Sequence, residues 1–215
     1  MPIKHPRTVS ADPAGLAARV LTELHGDDRF ILGLTGPPGT GKSTVVTAIA
    51  DALHPLRVVV VPMDGFHLAN TIIRGTPLEH RKGAIDTFDA AGYAQLIRRL
   101  HQRDEAVVYA PSYVRAMEEP IAASIAVPRD VQIVITEGNY LLSTDPEWAA
   151  ARTAMDQVWY LDTPDHLRLQ RLTNRHIDFG KTPEHAAAWA SGTDEKNARA
   201  IAQTRDRADL IIQGT

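Results

Sequence analysis

Short apolar runs alternate with amphipathic segments along this chain. Five of the runs read RFILGLTG, LRVVVVPM, VQIVITEG, DQVWYLD and ADLIIQ. Each run is short, carries apolar residues on both faces and is therefore typical of a buried strand. Residues 14–25 and 90–101 instead place apolar side chains at helical spacing, with Asp89 as the expected N-cap of the second helix. Strands that alternate with helices predict an α/β fold with a doubly wound, mainly parallel sheet and helices on both faces.

Three segments depart from this alternation. Residues 66–88 have no steady period and are predicted to form a functional loop on the acceptor side of a site. Residues 106–127 carry strand-like runs broken by prolines, which fit either a hairpin or an irregular insertion. Residues 165–185 are predicted to form a small helical lid. The chain has no internal repeat and no low-complexity linker, so we predict a single domain over residues 1–215.

Composition narrows the class of protein. The net charge of −3 gives no basic field for nucleic acid or an anionic membrane. The absence of cysteine excludes disulfides and thiolate metal sites. The N-terminal residues have no apolar signal-peptide core, and no apolar run approaches 18 residues. We therefore expect a cytoplasmic protein without nucleic-acid or membrane partners, and we leave a homodimer open.

The stretch GPPGTGKST follows the first strand run and opens a helix. It matches G-x-x-x-x-G-K-[ST], in which backbone N–H groups and a helix N-terminus bind phosphates. The lysine would reach the β- and γ-phosphates, and the serine would ligate Mg²⁺. This motif predicts a P-loop NTPase fold that binds a nucleoside triphosphate. The predicted nucleotide-binding residues are Gly36, Pro37, Pro38, Gly39, Thr40, Gly41, Lys42, Ser43 and Thr44.

Two carboxylates follow strand runs directly. Asp64 comes after LRVVVVPM, and Glu137 comes after VQIVIT. Because ligands of parallel sheets lie beyond the carboxyl ends of the strands, both acids should face the bound triphosphate. We predict that Asp64 is the base that takes a proton from an attacking hydroxyl. Glu137 is predicted to join Ser43 in the Mg²⁺ shell.

An arginine stripe marks the predicted lid. Arg168, Arg171 and Arg175 recur at spacings of three and four, so they share one helical face. We predict that these three arginines close over the triphosphate and stabilise charge in the transition state. A solvated helix face is the alternative for each of them.

Taken in order, the motifs resemble those of a known family. They are the P-loop, MDGFH, RKGAIDTFD, PSYVR, ITEGNYLL and the arginine-rich helix. Over residues 28–212 the chain resembles the P-loop kinases that include uridine kinase, bacterial pantothenate kinase and phosphoribulokinase. Within that family it most resembles members described as nucleoside or sugar kinases of a fructose transport system. The resemblance implies ATP as phosphoryl donor and supports Asp64 as the base.

The phosphoryl acceptor does not carry over from the resemblance. Uridine kinases have a histidine-serine-arginine run after the tyrosine motif, whereas this chain has YVRAMEEP. The residues predicted to bind the acceptor are His67, Arg81, Lys82, Tyr113, Arg115 and Glu137.

The sequence favours an ATP-dependent kinase that phosphorylates a hydroxyl of a nucleoside, a pantothenate-like acid or a sugar. A regulatory P-loop NTPase and a nucleotide monophosphate kinase remain alternatives. Asp64 counts against the monophosphate kinase, because a carboxylate repels an anionic acceptor and suits a neutral hydroxyl.

Overall fold

A six-stranded parallel sheet forms the centre of the computed structural model, which describes residues 6–178, 180 and 182–214. Its strands are β1 (Arg7–Ser10), β2 (Phe30–Thr35), β3 (Val58–Val60), β6 (Ile133–Glu137), β7 (Gln157–Asp162) and β8 (Leu210–Gln213). They lie in the order β1-β8-β7-β2-β6-β3. A separate antiparallel hairpin consists of β4 (Val107–Val114) and β5 (Glu119–Pro128).

Helices cover both faces of the sheet. They are α1 (Pro13–Glu23), α2 (Lys42–Ala52), α3 (Asn70–Ile73), α4 (Ala90–Gln102), α5 (Pro146–Arg152), α6 (Asp165–Asp178), α7 (Pro183–Ser191) and α8 (Thr193–Ala202). One apolar cluster joins α1 and α2 to the sheet through residues such as Val20 and Ile49, and a second joins α4 and α5 through Tyr93 and Trp148. The doubly wound α/β fold is therefore confirmed.

Local side chains set several helix boundaries. The carboxylate of Asp89 accepts a hydrogen bond from the backbone N–H of Gly92 at 2.8 Å, which confirms the predicted N-cap of α4. Asp12 accepts from Gly15 N–H at 2.8 Å in the same way and begins α1. The stretch between α7 and α8 breaks at Gly192, which caps both helices.

The structure differs from the sequence-based expectation in four places. Strand β3 is only three residues long, and the next turn begins at Met63. Strand β1 and helix α5 were not predicted. Loop 66–88 contains the short helix α3 and two 3₁₀ turns. At residues 106–127 the structure has the hairpin, which was one of the two predicted alternatives. Within the predicted lid, residues 179 and 181 lie outside the described part.

The sheet order places the candidate site. Strand β6 pairs with β2 on one side and β3 on the other, all in parallel. The P-loop follows β2, Asp64 follows β3, and Glu137 ends β6. The three motifs therefore lie together at the carboxyl ends of adjacent strands.

Candidate active site

The P-loop has a backbone that only glycine can supply. Gly36, Gly39 and Gly41 have φ angles of +152°, +82° and +92°. A Cβ atom on Gly39 would lie 2.3 Å from the carbonyl oxygen of Arg168, and one on Gly36 would lie 2.5 Å from that of Leu161. The predicted phosphate loop is thus packed against β7 and α6.

Within the loop, Pro37 and Thr40 close the turn. The hydroxyl of Thr40 donates to the carbonyl of Pro37 at 2.9 Å, so this buried side chain holds the loop instead of facing the cleft. Pro38, Gly39, Gly41, Ser43 and Thr44 line the cleft. Backbone N–H groups of these residues, at the start of α2, could reach a phosphate bound in the cleft.

Lys42 is held inside the loop by three oxygen atoms. Its Nζ donates to the carbonyls of Gly36 (2.8 Å) and Pro37 (3.2 Å), and to Oδ1 of Asn139 (2.8 Å). Burial lowers the pKa of Lys42 to about 8, although the carboxylates of Glu137 and Asp64 oppose this shift. A phosphate group would replace carbonyl dipoles with a full negative charge and favour the ammonium form.

Ser43 and Glu137 form the pair that fits Mg²⁺. The Ser43 hydroxyl donates to Oε1 of Glu137 at 2.9 Å. Burial raises the pKa of Glu137, while Lys42 acts in the opposite direction. Among the described residues no group of three or more His, Cys, Asp or Glu could hold a metal by itself. One hydroxyl and one carboxylate suit Mg²⁺ bound together with substrate phosphates and water.

Asp64 lies in a 3₁₀ turn that follows β3. The turn spans Met63–Phe66 and packs so closely on the hairpin that a Cβ on Gly65 would lie 2.4 Å from the carbonyl oxygen of Pro111. The Asp64 carboxylate is 3.6 Å from a guanidinium nitrogen of Arg115. Both side chains line the cleft and are partly exposed there. A carboxylate in this position can accept a proton from a group bound in the cleft.

Three other predicted acceptor residues lie beside Asp64. The ring of His67 packs against that of Tyr113, with 4.5 Å between centroids. Lys82 lies 5.6 Å from the Tyr113 ring centroid and donates to Oδ1 of Asn70 at 2.5 Å. Burial lowers the pKa of Lys82. These residues line the half of the cleft around Asp64, which is the half predicted to bind the acceptor.

Arg81 lies apart from this group. It pairs with Asp86 at 2.9 Å on the exposed side of loop 66–88 and does not line the cleft. The expectation that Arg81 faces the acceptor is corrected by this placement, because the side chain turns toward its neighbour in the same loop.

The lid arginines divide into two groups. Arg171 and Arg175 line the cleft, and Nη1 of Arg171 is 3.3 Å from the carbonyl oxygen of Thr40. Burial lowers the pKa of Arg175, as does the nearby Arg115. Both guanidinium groups are therefore near the space that a triphosphate would occupy.

Arg168 occupies a different position, which corrects the prediction that all three arginines close over the triphosphate. Its side chain is buried beneath α8, where it donates to Glu195, and its Nε donates to Asp165 at 2.7 Å. The remaining nitrogen, Nη1, has no hydrogen-bond partner among the described residues. Arg168 thus joins α6 to α8 and does not line the cleft.

Two asparagines belong to the site although the sequence analysis did not single them out. Asn139 holds Lys42, and its position two residues after Glu137 at a strand end was a usable signal. Asn197 of α8 lines the cleft and donates to the carbonyl of Gly83 at 3.3 Å, an oxygen that also accepts from Tyr140 at 2.7 Å. Helix α8 and loop 66–88 therefore meet at Gly83.

The cleft has a volume of about 830 Å³, which is enough for a nucleotide and a small second substrate. It opens at the carboxyl ends of parallel strands, with a P-loop in one half and a carboxylate in the other. No helix in the described ranges has the length and apolar content needed to span a bilayer. The fold and the site together define a P-loop kinase with an ATP-binding motif.

Comparison with known proteins gives the family. The sequence pattern of the phosphoribulokinase / uridine kinase family matches residues 31–215. The chain belongs to this family of ATP-dependent small-molecule kinases.

Individual relatives span most of the chain. It is 31% identical over 205 residues to protein C227.14 of Schizosaccharomyces pombe, which is assigned as a uridine kinase, with 91% of this chain and 87% of the relative covered. It is 33% identical over 200 residues to the uncharacterized protein YggC of Escherichia coli K12, covering 91% and 82%. A crystal structure from Silicibacter sp. TM1040, assigned as a fructose transport system kinase, has a TM-score of 0.85 and 38% identity, covering 93% and 98%.

Proposed function

We propose that this protein transfers the γ-phosphoryl group of ATP to a hydroxyl of a small polar molecule. The acceptor oxygen forms a bond to the γ-phosphorus while the bond from that phosphorus to the β,γ-bridging oxygen breaks. The hydroxyl proton passes to the Asp64 carboxylate, and ADP leaves with the negative charge of the broken bond. The products are ADP and a phosphomonoester.

One observation carries this proposal. The Ser43–Glu137 pair and Asp64 open into the same cleft from neighbouring strands, with Lys42 held between the P-loop and Asn139. A nucleotide binder alone needs the P-loop, but it has no need for a second carboxylate in the acceptor half. Asp64 suits a neutral hydroxyl and would repel a phosphate acceptor, which disfavours a nucleotide monophosphate kinase.

The residues of this chain would divide the work as follows. Lys42 and the backbone of residues 36–44 would bind and orient the phosphates. Arg171 and Arg175 would neutralise charge that develops on the transferred group. Ser43 and Glu137 would hold Mg²⁺, which supplies charge neutralisation between the β- and γ-phosphates when it is bound.

The names of the relatives suggest which acceptors to test first. The S. pombe relative is assigned as a uridine kinase, and the Silicibacter relative as a fructose transport system kinase. We propose that the acceptor is a nucleoside, a pantothenate-like acid or a sugar. Lys82, Tyr113 and Arg115 would contact it, since all three line the acceptor half of the cleft.

A panel assay tests the function. ATP consumption and product mass are measured with uridine, pantothenate, D-fructose and D-glycerate, with an Asp64→Asn variant as control. We expect an ADP-coupled mass gain of one phosphoryl group on at least one acceptor, and its loss in the variant. ATP hydrolysis that no acceptor stimulates would instead support a regulatory NTPase, and turnover of nucleoside monophosphates would support the monophosphate kinase.

A further inference from the structure

We propose that Nε2 of His67 accepts a hydrogen bond from the substrate that is phosphorylated. The substrate therefore carries a hydrogen-bond donor, such as a second hydroxyl, beside the hydroxyl that reacts. This inference rests on the proposed function, because it takes the half of the cleft around Asp64 as the acceptor site.

The imidazole of His67 carries its proton on Nδ1. Nδ1 of His67 lies 2.7 Å from the backbone carbonyl oxygen of Asp64. A carbonyl oxygen can only accept a hydrogen bond, so Nδ1 must carry the hydrogen. In a neutral imidazole the other nitrogen, Nε2, then has a lone pair and no hydrogen.

The surroundings keep the ring neutral. Burial lowers the pKa of His67, and the cations Lys82 and Arg115 act in the same direction, against the raising effect of Asp64. At neutral pH Nε2 is therefore a hydrogen-bond acceptor and cannot donate.

The local fold aims His67 and Asp64 the same way. The backbone N–H of His67 donates to the carbonyl of Asp64 at 3.2 Å, which closes the 3₁₀ turn. Side chains three residues apart in such a turn lie over one another. Both side chains line the cleft, so a molecule whose reacting hydroxyl meets Asp64 brings its neighbouring atoms to His67.

Aromatic neighbours fix the plane of the ring. The ring centroid of His67 is 4.0 Å from that of Phe88 and 4.5 Å from that of Tyr113. With Nδ1 engaged by the backbone and the ring held by these two side chains, the direction of the Nε2 lone pair is set before substrate binds. Such preorganisation favours one partner geometry over others.

The chemistry of that partner follows. A lone pair in a partly buried site needs an O–H or N–H donor, whereas a carboxylate or phosphate would meet it with repulsion. The group next to the reacting hydroxyl is therefore a donor, as in a sugar or the ribose of a nucleoside. An acceptor that has only apolar or anionic groups at that position would leave Nε2 unpaired.

Two substitutions separate substrate recognition from a structural role. The amide of His67→Asn can replace the Nδ1–H donor to Asp64 but has no atom near Nε2. The longer His67→Gln can place its amide oxygen near Nε2. We expect His67→Asn to lower kcat/KM for the acceptor about 10- to 100-fold and His67→Gln to retain more activity than His67→Asn. If His67→Asn retains as much as or more than His67→Gln, the ring serves only to hold the turn and the proposal is wrong.

Matched substrates give the second test. Uridine is compared with 3′-deoxyuridine, and D-fructose with its single-position deoxy analogues, in the wild type and in His67→Asn. Removing the neighbouring hydroxyl should lower kcat/KM about tenfold in the wild type and much less in His67→Asn. The variant loses less because it already lacks the ring nitrogen that binds this hydroxyl. Equal losses in both proteins would contradict the assignment.

The tautomer can be measured without any turnover. In ¹⁵N-labelled protein, His67 should show a protonated Nδ1 and an unprotonated Nε2 at neutral pH, with its signals identified by their loss in His67→Gln. Adding uridine or D-fructose should shift the Nε2 signal if that compound binds as proposed. A protonated Nε2, or no shift with any panel compound, overturns the inference. A protein with the expected tautomer and shift that phosphorylates nothing would instead contradict the proposed function.

Discussion

Replacing Gly39 by alanine tests whether the P-loop and the lid helix are packed as one unit. Gly39 has a φ angle of +82°, and a Cβ there would lie 2.3 Å from the carbonyl oxygen of Arg168 and 2.7 Å from Cγ of Leu172. Gly75 is a matched control, because its φ angle is +73° and a Cβ there would meet no atom within 4 Å.

The backbone strain should be similar in the two variants, about 1–2 kcal/mol for a left-handed residue that is not glycine. Only Gly39→Ala adds overpacking against backbone, which costs about 1–3 kcal/mol. For a chain of this size the difference corresponds to about 2–12 °C in Tm.

Thermal unfolding measures this difference, and isothermal titration with ATP measures the effect on the loop. We expect Gly39→Ala to melt below Gly75→Ala by that margin and to bind ATP more weakly, while Gly75→Ala keeps ATP affinity. Equal melting temperatures and equal ATP affinities would refute the close contact between the P-loop and α6.

Further predictions concern Lys42, Asp64 and the arginines of α6. The pKa of about 8 for Lys42 means that the free enzyme loses this positive charge as pH rises through 8, so kcat/KM for ATP should fall there, and Lys42→Arg should remove that limb. The pKa of Lys42 in the folded protein lies below the unfolded value of 10.5, so between pH 8 and 10.5 the unfolded chain binds more protons. Lys42 therefore makes the free energy of unfolding rise with pH over this range. Urea titrations at several pH values measure this rise. Asp64→Asn should leave ATP affinity near normal and lower kcat roughly 10²- to 10⁴-fold. If excess Mg²⁺ restores kcat, Asp64 is a metal ligand instead. If kcat is unchanged, Asp64 is only a turn residue. Arg175→Gln should lower kcat with little change in Tm. Arg168→Gln should cost about 1–3 kcal/mol of stability, because Glu195 loses its buried partner and, among the described residues, keeps only the exposed Arg199 at 3.4 Å. The reverse pattern would contradict the two placements.

The sequence predicted the parts of the molecule whose signal is local. The P-loop spacing, the buried strand runs and the Asp89 cap each depend on residues that are neighbours in the chain. Strand β1 escaped because it lies at the edge of the sheet and is largely exposed, so it shows no apolar run. Helix α5 is only seven residues long and has too few turns for a clear period.

The site residues that were misplaced or missed depend on partners far along the chain. Helical spacing correctly relates Arg168 to Arg175, but seven residues also separate them by about 10.5 Å along α6. Arg168 lies near the beginning of α6, where it binds Glu195, 27 residues further along the chain, and is buried beneath α8. The contact between Asn139 and Lys42 spans 97 residues in the same way. Spacing gives the face of a helix, and only the fold gives what that face meets.

The carbonyl of Gly83 makes the two halves of the cleft thermodynamically dependent. It accepts from Tyr140, which belongs to the core, and from Asn197 on the lid side. Any displacement of this single peptide group changes both hydrogen bonds together. A substrate that moves loop 66–88 therefore alters the energy of α8, and a nucleotide that moves α8 alters the loop. Thermodynamic linkage requires the two effects to be equal. If an acceptor changes ATP affinity through Gly83 by some factor, ATP changes acceptor affinity by the same factor.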